Sequence, residues 1–362
     1  MMKTLVAAAA LLACGIASAQ SSVQLFGIVD AAVQHGSGSI ASKSSLGNSG
    51  LNASRLGFRG TEDLGGGLTA GFWLEAGLNN DNGTGSDTNT NNQTSGAVAA
   101  GQGLNFGRRS TVSLSGPWGE LRAGRDYSLQ YLNLMTYDPT GANGVGTAVN
   151  TTNIITGATA KRASNQLTYF SPKIAGFFGQ AQYYFGENPS NATNKDDGTG
   201  YSVRVGYGQA KWEVAAATSR TKYLAGDSKQ SNIGGAYDFG FAKILADYSH
   251  DEGLIQASAA PAPLSVAKAD GWSIGAHIPM GKHQLRAGYS RYKVDVDGSQ
   301  LNDPEAKKWM VGYVYKFSER TAAYGTYAHV SNTGGWNTAL LGASTGANQS
   351  SNGFELGLRH SF

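Results

Sequence analysis

Residues 352–362, NGFELGLRHSF, alternate between apolar and polar side chains with the two-residue period of a β-strand. One parity comprises Phe354, Leu356, Leu358, His360 and Phe362, and the other comprises Glu355, Gly357, Arg359 and Ser361. Successive side chains of a strand point to opposite faces of the sheet. The stretch therefore predicts a strand that separates an apolar environment from a polar one.

The same alternation returns in hairpins along most of the chain. Residues 23–33 carry small or apolar side chains at the odd positions, with Gln24 and Asp30 among the polar ones between them. Residues 54–78 form two alternating segments joined by TEDLGGG, which is typical of a hairpin turn. Further tight turns are predicted at 116–119, 172–176 and 208–209. Both arms of every hairpin, together with the first and last strands, add up to 16 strands.

Longer segments of different composition separate these hairpins. They are rich in Asn, Ser, Thr and Gly, have no periodicity and are predicted to be loops: 79–103, 187–199, 251–268 and 331–350. Short turns at one end of the strands and long polar loops at the other are typical of outer-membrane barrels, whose periplasmic turns are short. His360, on the apolar parity of the last strand, suggests that this strand reaches the membrane interface near the periplasmic rim.

The two faces of the strands require lipid on one side and water on the other. Gly provides 51 of the 362 residues and charged residues only 15%, which suits glycine-tolerant strands better than soluble helical domains. A closed barrel leaves no unpaired strand edge inside the hydrocarbon. We therefore predict an all-β fold, a transmembrane antiparallel barrel of 16 strands with long extracellular loops, and we expect no helix.

Residues 1–19 have the pattern of a secretory signal peptide. Lys3 is followed by an apolar run and then by Ala17-Ser18-Ala19, an A-x-A cleavage site. We expect the mature barrel domain to comprise residues 20–362, exported across the inner membrane to the outer membrane. Cys14 is the sole cysteine, so cleavage leaves no thiolate, and we expect no metal or other cofactor. The net charge of +3 gives no reason to expect a nucleic-acid partner.

Aromatic residues near the short turns are expected to form a girdle at the membrane interface. Trp73, Trp118, Phe170 and Phe241 are among them.

Several stretches, in this order, resemble the general diffusion porins of Gram-negative outer membranes, beta-proteobacterial ones above all. They are SSVQLFGIVDAAV, SRLGFRGTEDLGGGLTAGFWLE, GRRSTVSLSGPWGELRAGRDY, SNQLTYFSPKIAGFFGQAQY and the final strand with Phe362. The resemblance implies a homotrimer of 16-stranded barrels in outer-membrane lipid, passing ions and small hydrophilic solutes. It also implies an inward-folded constriction loop, here about residues 127–161, and an aromatic signal at Phe362 for the barrel-assembly machinery.

The resemblance further implies an arginine cluster on the barrel wall at the constriction. Arg55, Arg108 and Arg162 occupy the family's motif positions, although the neighbouring Arg109 and Lys161 leave the register open by one residue. Asp138 is the expected acidic partner on the loop. Further candidates for the pore lining are Arg125, Tyr127, Tyr131 and Glu75.

Three arginines against about one carboxylate predict a preference for anions, or at least a weak selectivity for cations, because arginine keeps its positive charge at physiological pH. A substrate-specific channel on the same barrel remains an alternative, as do a plugged structural barrel and a barrel enzyme such as a phospholipase. For an enzyme, the sequence contains no H-E-x-x-H motif, and its six histidines are scattered singly.

Overall fold

The computed structural model describes residues 22–99, 101, 103–152, 157–255, 265–296 and 303–362. The predicted signal peptide, residues 1–19, lies outside these ranges. The strands are β1 (Ser22–Gly38), β2 (Lys43–Asn48), β3 (Arg55–Gly65), β4 (Leu68–Asn79), β5 (Thr84–Gly85), β6 (Thr88–Asn89), β7 (Ala97–Val98), β8 (Arg109–Gly116), β9 (Gly119–Tyr127), β10 (Arg162–Phe170), β11 (Phe177–Tyr184), β12 (Gly200–Gln209), β13 (Trp212–Thr221), β14 (Ser228–Asp238), β15 (Lys243–Ile255), β16 (Ser265–Met280), β17 (His283–Val296), β18 (Glu305–Lys316), β19 (Thr321–Thr333) and β20 (Ser351–Ser361).

Sixteen of these strands form a closed antiparallel barrel, as predicted. The main sheet contains 18 strands, of which β2 only extends the pairing of β1 and β5 only extends β4. The seam is the pairing of β1 with β20, in register from Ile28 opposite Ser361 to Gly38 opposite Ser351. Gly27 and Phe362 close it with two backbone hydrogen bonds of 3.1 Å. The barrel therefore has no free edge along this seam.

The alternation in residues 352–362 has the predicted consequence. Leu356 is 61% exposed on the outer face, whereas the neighbouring Glu355 is 1% exposed on the inner side. His360 is exposed and lies 3.0 Å from the hydroxyl of Thr321, next to the short turn between β18 and β19. Phe362 is also partly exposed on the outer side. The apolar parity of the last strand thus faces outward.

Turns and loops agree with the sequence at most positions. The turns at 116–119 and 172–176 are where they were predicted. The turn predicted at 208–209 is wrong by two residues, because β12 and β13 stay paired as far as Gln209 opposite Trp212. The loop predicted at 251–268 is also too long, since β15 continues to Ile255 and β16 begins at Ser265.

The expectation of no helix is wrong. Two short helices, α1 (Leu129–Tyr137) and α2 (Val149–Thr152), lie between β9 and β10, and a 3₁₀ turn spans Thr94–Gly96. Within the ranges that the structure describes, no helix combines the length and the apolar character needed to cross a membrane.

The described part of the constriction loop, residues 128–152 and 157–161, folds into the barrel and is held against its inner wall. In α1, Asn133 donates to the carbonyl of Ala215 at 3.0 Å and to Asn232 at 2.7 Å. Further along the loop, Val149 donates its backbone N–H to the Ser290 hydroxyl at 3.0 Å. Gly275 on β16 leaves the space that the ring of Pro139 occupies, because a side chain there would overlap that ring. The loop is therefore a fixed partition inside the barrel.

A girdle requires aromatic side chains on the outer face, and part of the predicted set lies there. Trp118 and Phe241 are exposed on the outer face. Trp73 and Phe170 instead lie beneath the guanidinium groups of Arg109 and Arg122, on the lumen side.

Candidate functional site

The constriction loop leaves an opening of about 580 Å³ against the barrel wall. Ten of the residues around it are basic, aromatic or acidic: Arg55, Arg108, Tyr127, Tyr131, Asp138, Lys161, Arg162, Lys243, His277 and Arg286. They come from the loop, from its flanking strands β9 and β10, from β3, from the residue before β8, and from β15 to β17 on the other side. The opening is thus framed by side chains that lie far apart in the sequence.

The three predicted arginines meet on one side of this opening, which we call the first basic wall: Arg55, Arg108 and Arg162. Arg162 donates from Nε to the backbone carbonyl of Arg108 at 2.9 Å. Its guanidinium lies 4.3 Å from the centre of the Tyr127 ring. Arg108, rather than Arg109, lines the opening, and Lys161 lines it as well.

Glu75 is the carboxylate that reaches this wall. Its Oε1 accepts from Arg108 Nε at 2.6 Å and from Arg55 Nη1 at 3.3 Å, while Trp73 Nε1 donates to Oε2 at 3.1 Å. The residue is only 6% exposed. One carboxylate therefore neutralises part of the charge of two arginines and fixes their orientation.

Asp138, expected to be the acidic partner of the arginines, is bonded within its own loop. Its Oδ1 accepts from the backbone N–H and the hydroxyl of Thr140 at 2.7 and 2.8 Å. Its Oδ2 accepts from the N–H of Ala148 at 2.9 Å, and the residue is 2% exposed. The carboxylate borders the opening but pairs with none of the three arginines. Its oxygens accept instead from two backbone N–H groups and one hydroxyl, which tie the loop together.

Arg125, a further candidate for the lining, does not border this opening in the part of the chain that the structure describes. It donates to the backbone carbonyls of Gly107 and Asn89 at 2.7 and 3.0 Å and to the Ser164 hydroxyl at 2.9 Å. Its guanidinium secures the segment before β8 against the barrel.

Tyr127 and Tyr131 both lie at the opening, with ring centres 5.7 Å apart. Lys161 Nζ lies 6.0 Å from the centre of the Tyr131 ring. Burial raises the pKa of the Tyr131 hydroxyl, so this loop residue adds no negative charge. Both rings are in contact with cationic groups.

The residues on the opposite side of the opening were not selected from the sequence. Lys243 on β15 is directly opposite His277 on β16, which is directly opposite Arg286 on β17. We call these three residues the second basic wall. Arg286 donates to Gln284 at 2.9 Å, and neither it nor Lys243 forms an ion pair with a carboxylate among the described residues. These three residues are brought into one row only by the register of three separate strands, which the sequence alone does not give.

Comparisons with known proteins agree with this architecture. A family model described as Gram-negative porin matches residues 5–335. The chain is 35% identical over 379 residues to outer membrane porin protein 32 of Delftia acidovorans, and the alignment covers all of both chains. It is 28% identical to an outer membrane porin protein of Bordetella pertussis, over 91% of this chain and 94% of that one.

Solved structures give the same result. The anion-selective porin from Comamonas acidovorans matches with a TM-score of 0.80 and 31% identity, over 95% of this chain and 100% of that one. OmpT of Vibrio cholerae matches with a TM-score of 0.65 at 16% identity, over 96% and 99% of the two chains, and so shares the fold.

Proposed function

The chain belongs to the Gram-negative porin family, whose members are channels of the outer membrane, and we propose that it is a general diffusion porin that prefers anions. The constriction loop and the barrel wall enclose its water-filled path. Arg55, Arg108 and Arg162 form one side of the constriction, and Lys243, His277 and Arg286 form the other. The observation that carries the proposal is the presence of basic walls on both sides of one opening.

The two basic walls favour anions because few carboxylates oppose them. Glu75 offsets about one charge on the first wall, and Asp138 is bonded to its own loop. Arg286 and Lys243 have no described carboxylate partner. A narrow pore with low-dielectric walls concentrates the field of such fixed charges. The anion-selective porin from Comamonas acidovorans, at 31% identity, makes the same preference a reasonable expectation for this chain.

The test is the reversal potential of the purified protein in a planar bilayer across a KCl gradient. We expect the wild type to pass chloride in preference to potassium. Arg55→Gln, Arg108→Gln, Arg162→Gln and Arg286→Gln should each lower the chloride-to-potassium permeability ratio by about twofold to threefold. Lys282→Gln, in an exposed short turn, removes the same charge outside the opening and should leave the ratio unchanged. A cation preference of the wild type would refute the proposal.

We favour general diffusion over sugar-specific transport because of the aromatic residues at the constriction. A sugar path needs exposed ring faces, whereas Arg162 covers Tyr127 and Lys161 lies over Tyr131. Passive diffusion needs no catalytic residue or cofactor, so we propose that the chain acts only as a channel. Residues 1–19 are proposed to be its cleaved signal peptide. N-terminal sequencing of the outer-membrane protein should then begin at Gln20.

We also propose that the channel is a homotrimer. Around the seam, the outer faces of β1, β2 and β20 present aliphatic residues: Val29, Val33, Leu46, Leu356 and Leu358. On the adjoining wall, β15 to β19 present aromatic residues suited to the lipid interface: Tyr248, Trp272, Tyr289, Trp309 and Tyr327. The aliphatic face is therefore the proposed subunit contact. Leu356→Arg should convert trimer to monomer on a native gel, whereas a trimer of unchanged stability would contradict this assignment.

A further inference from the structure

A second cavity, of about 440 Å³, lies on the lumen wall between the constriction and the short-turn end of the barrel. Apart from Gly60 and Phe72, its lining residues share the inward parity of β1, β3, β4, β8 and β9. Gln24 is opposite Arg59, Arg59 is opposite Trp73, and Trp73 is opposite Thr111 in the strand register. Short turns mark the periplasmic end of such barrels, so this cavity lies on the periplasmic side.

Arg59 is held in one orientation in this cavity. Its Nε and Nη2 both donate to Oε1 of Gln24, at 2.8 and 2.7 Å. The guanidinium carbon lies 5.1 Å from the centre of the Phe26 ring and 5.0 Å from that of Trp73. Stacking on aromatic rings and a shared acceptor preorganise the group, so little side-chain entropy remains to be lost when a ligand binds.

Arg59 is also the cation of this cavity whose charge is not compensated. Arg122 is bound by Glu120 at 3.1 and 3.0 Å and by Asp126 at 2.6 Å. Arg109 shares Asp126 at 3.4 Å. Arg59 has no ion pair with any carboxylate among the described residues. Three arginines and two carboxylates therefore leave one positive charge, and it lies on Arg59.

The surroundings of Arg59 suit a small oxyanion. Hydroxyl groups of Ser22, Thr61, Thr69, Ser113 and Ser115 line the same cavity. A guanidinium supplies directed N–H donors that match carboxylate or phosphate oxygens, and neighbouring hydroxyls donate to the remaining oxygens. Trp73 offers no free ring face to a sugar, because Arg59 lies 5.0 Å and Arg109 4.4 Å from its centre. The chemistry favours an anion over a neutral solute.

We propose that Arg59 and the hydroxyls around it form a second anion-binding station, which small carboxylates and phosphates occupy on the periplasmic side of the constriction. The inference rests on the proposed anion preference and adds a site to that path. Arg59 and Arg55 lie four residues apart on β3, so the station is about 13 Å from the first basic wall along the strand. That separation exceeds the Debye length of about 8 Å at physiological ionic strength, so an anion at one position is largely screened from the other.

Inorganic phosphate is the probe for this station. In planar bilayers with uniformly oriented channels, chloride current is recorded while phosphate is added to one side at a time. We expect the wild type to be blocked at a lower phosphate concentration from the periplasmic side. Arg59→Gln should raise that half-blocking concentration by about threefold to tenfold and leave the value for the extracellular side unchanged. Arg59→Lys keeps the positive charge but loses the pair of hydrogen bonds to Gln24. It should therefore restore part of the phosphate block that Arg59→Gln loses.

The control is Arg320→Gln, which removes an exposed periplasmic charge outside the cavity and should leave both values unchanged. Equal block of the wild type and Arg59→Gln would overturn the second station. An equal rise in Arg59→Gln and Arg320→Gln would also overturn it, because surface charge would then explain the effect. The chloride-to-potassium ratio, measured on the same channels, tests the proposed function separately and does not depend on either result.

Discussion

Neutralising Glu75 should make the channel more selective for anions, although the change removes a buried partner of two arginines. In Glu75→Gln the amide oxygen can still accept from Arg108, now at 2.6 Å from Glu75, while the negative charge is lost. Arg55 and Arg108 then present their full charge to the opening. We expect this gain to be visible in the reversal potential.

The size of the effect follows from the position of the carboxylate. A unit charge about 7 Å from a passing ion interacts with it in water by about 0.6 kcal/mol, and screening in 0.1 M salt lowers this to about 0.3 kcal/mol. The change favours chloride and disfavours potassium by that amount each. The combined difference of about 0.6 kcal/mol corresponds to about a threefold rise in the chloride-to-potassium ratio.

The assay is the reversal potential of Glu75→Gln across a KCl gradient, with Glu120→Gln as the matched control. Glu120 is also a lumen carboxylate paired with an arginine, but it lies further from the constriction, in the cavity of Arg59. We expect it to change the ratio less. If Glu75→Gln leaves the ratio unchanged or lowers it while the trimer stays folded, then Glu75 does not neutralise the first basic wall and the reasoning is wrong.

Three further predictions concern the loop and the seam. Asp138→Ala leaves the buried N–H groups of Thr140 and Ala148 without their acceptor. We expect its free energy of unfolding, measured by thermal or denaturant unfolding, to be lower by about 2–3 kcal/mol, and its open-channel current to be noisier. Asp138→Asn should be intermediate in both. Gly27→Val should reduce the folded, heat-modifiable barrel on gels, because its side chain would overlap the Phe362 ring, whereas Gly179→Val, with no close neighbour, should not. If Phe362 is an assembly signal, Phe362→Ala should lower the amount in the outer membrane of cells more than the yield of refolding into detergent; equal losses in both would indicate a packing role alone.

The strands could be predicted because their signal is local. In residues 352–362 apolar side chains alternate with polar or small ones, as the two faces of the strand require. This period identifies the strand without knowledge of its neighbours. The two-residue error at Gln209 arose because Gly208 has turn-forming character, yet both residues continue the pairing with β13. Propensity was overridden there by the ladder of backbone hydrogen bonds.

The helices of the constriction loop could not be predicted in the same way. Residues 129–137, LQYLNLMTY, have no capping hydrogen bond from a side chain at Ser128 and only a weak amphipathic pattern. Their helix is stabilised by tertiary contacts, such as those of Asn133 with Ala215 and Asn232. Short helices generally depend on such packing more than on intrinsic propensity. A search for helical periodicity therefore had little to detect.

The sign of the field at the constriction is a tertiary property, so a count of charges along the loop does not show which carboxylate pairs with the arginines. Asp138 lies in the loop sequence, but its oxygens are used by the N–H groups of Thr140 and Ala148. Glu75 lies on β4, 33 residues before Arg108, and reaches it because β4 and β8 are neighbours. An ion in the opening responds to the charge left after pairing. That remainder is positive on both sides, since Arg286 and Lys243 add to the arginines that Glu75 only partly offsets. Changes that alter pairing should therefore shift selectivity as strongly as changes that delete an arginine.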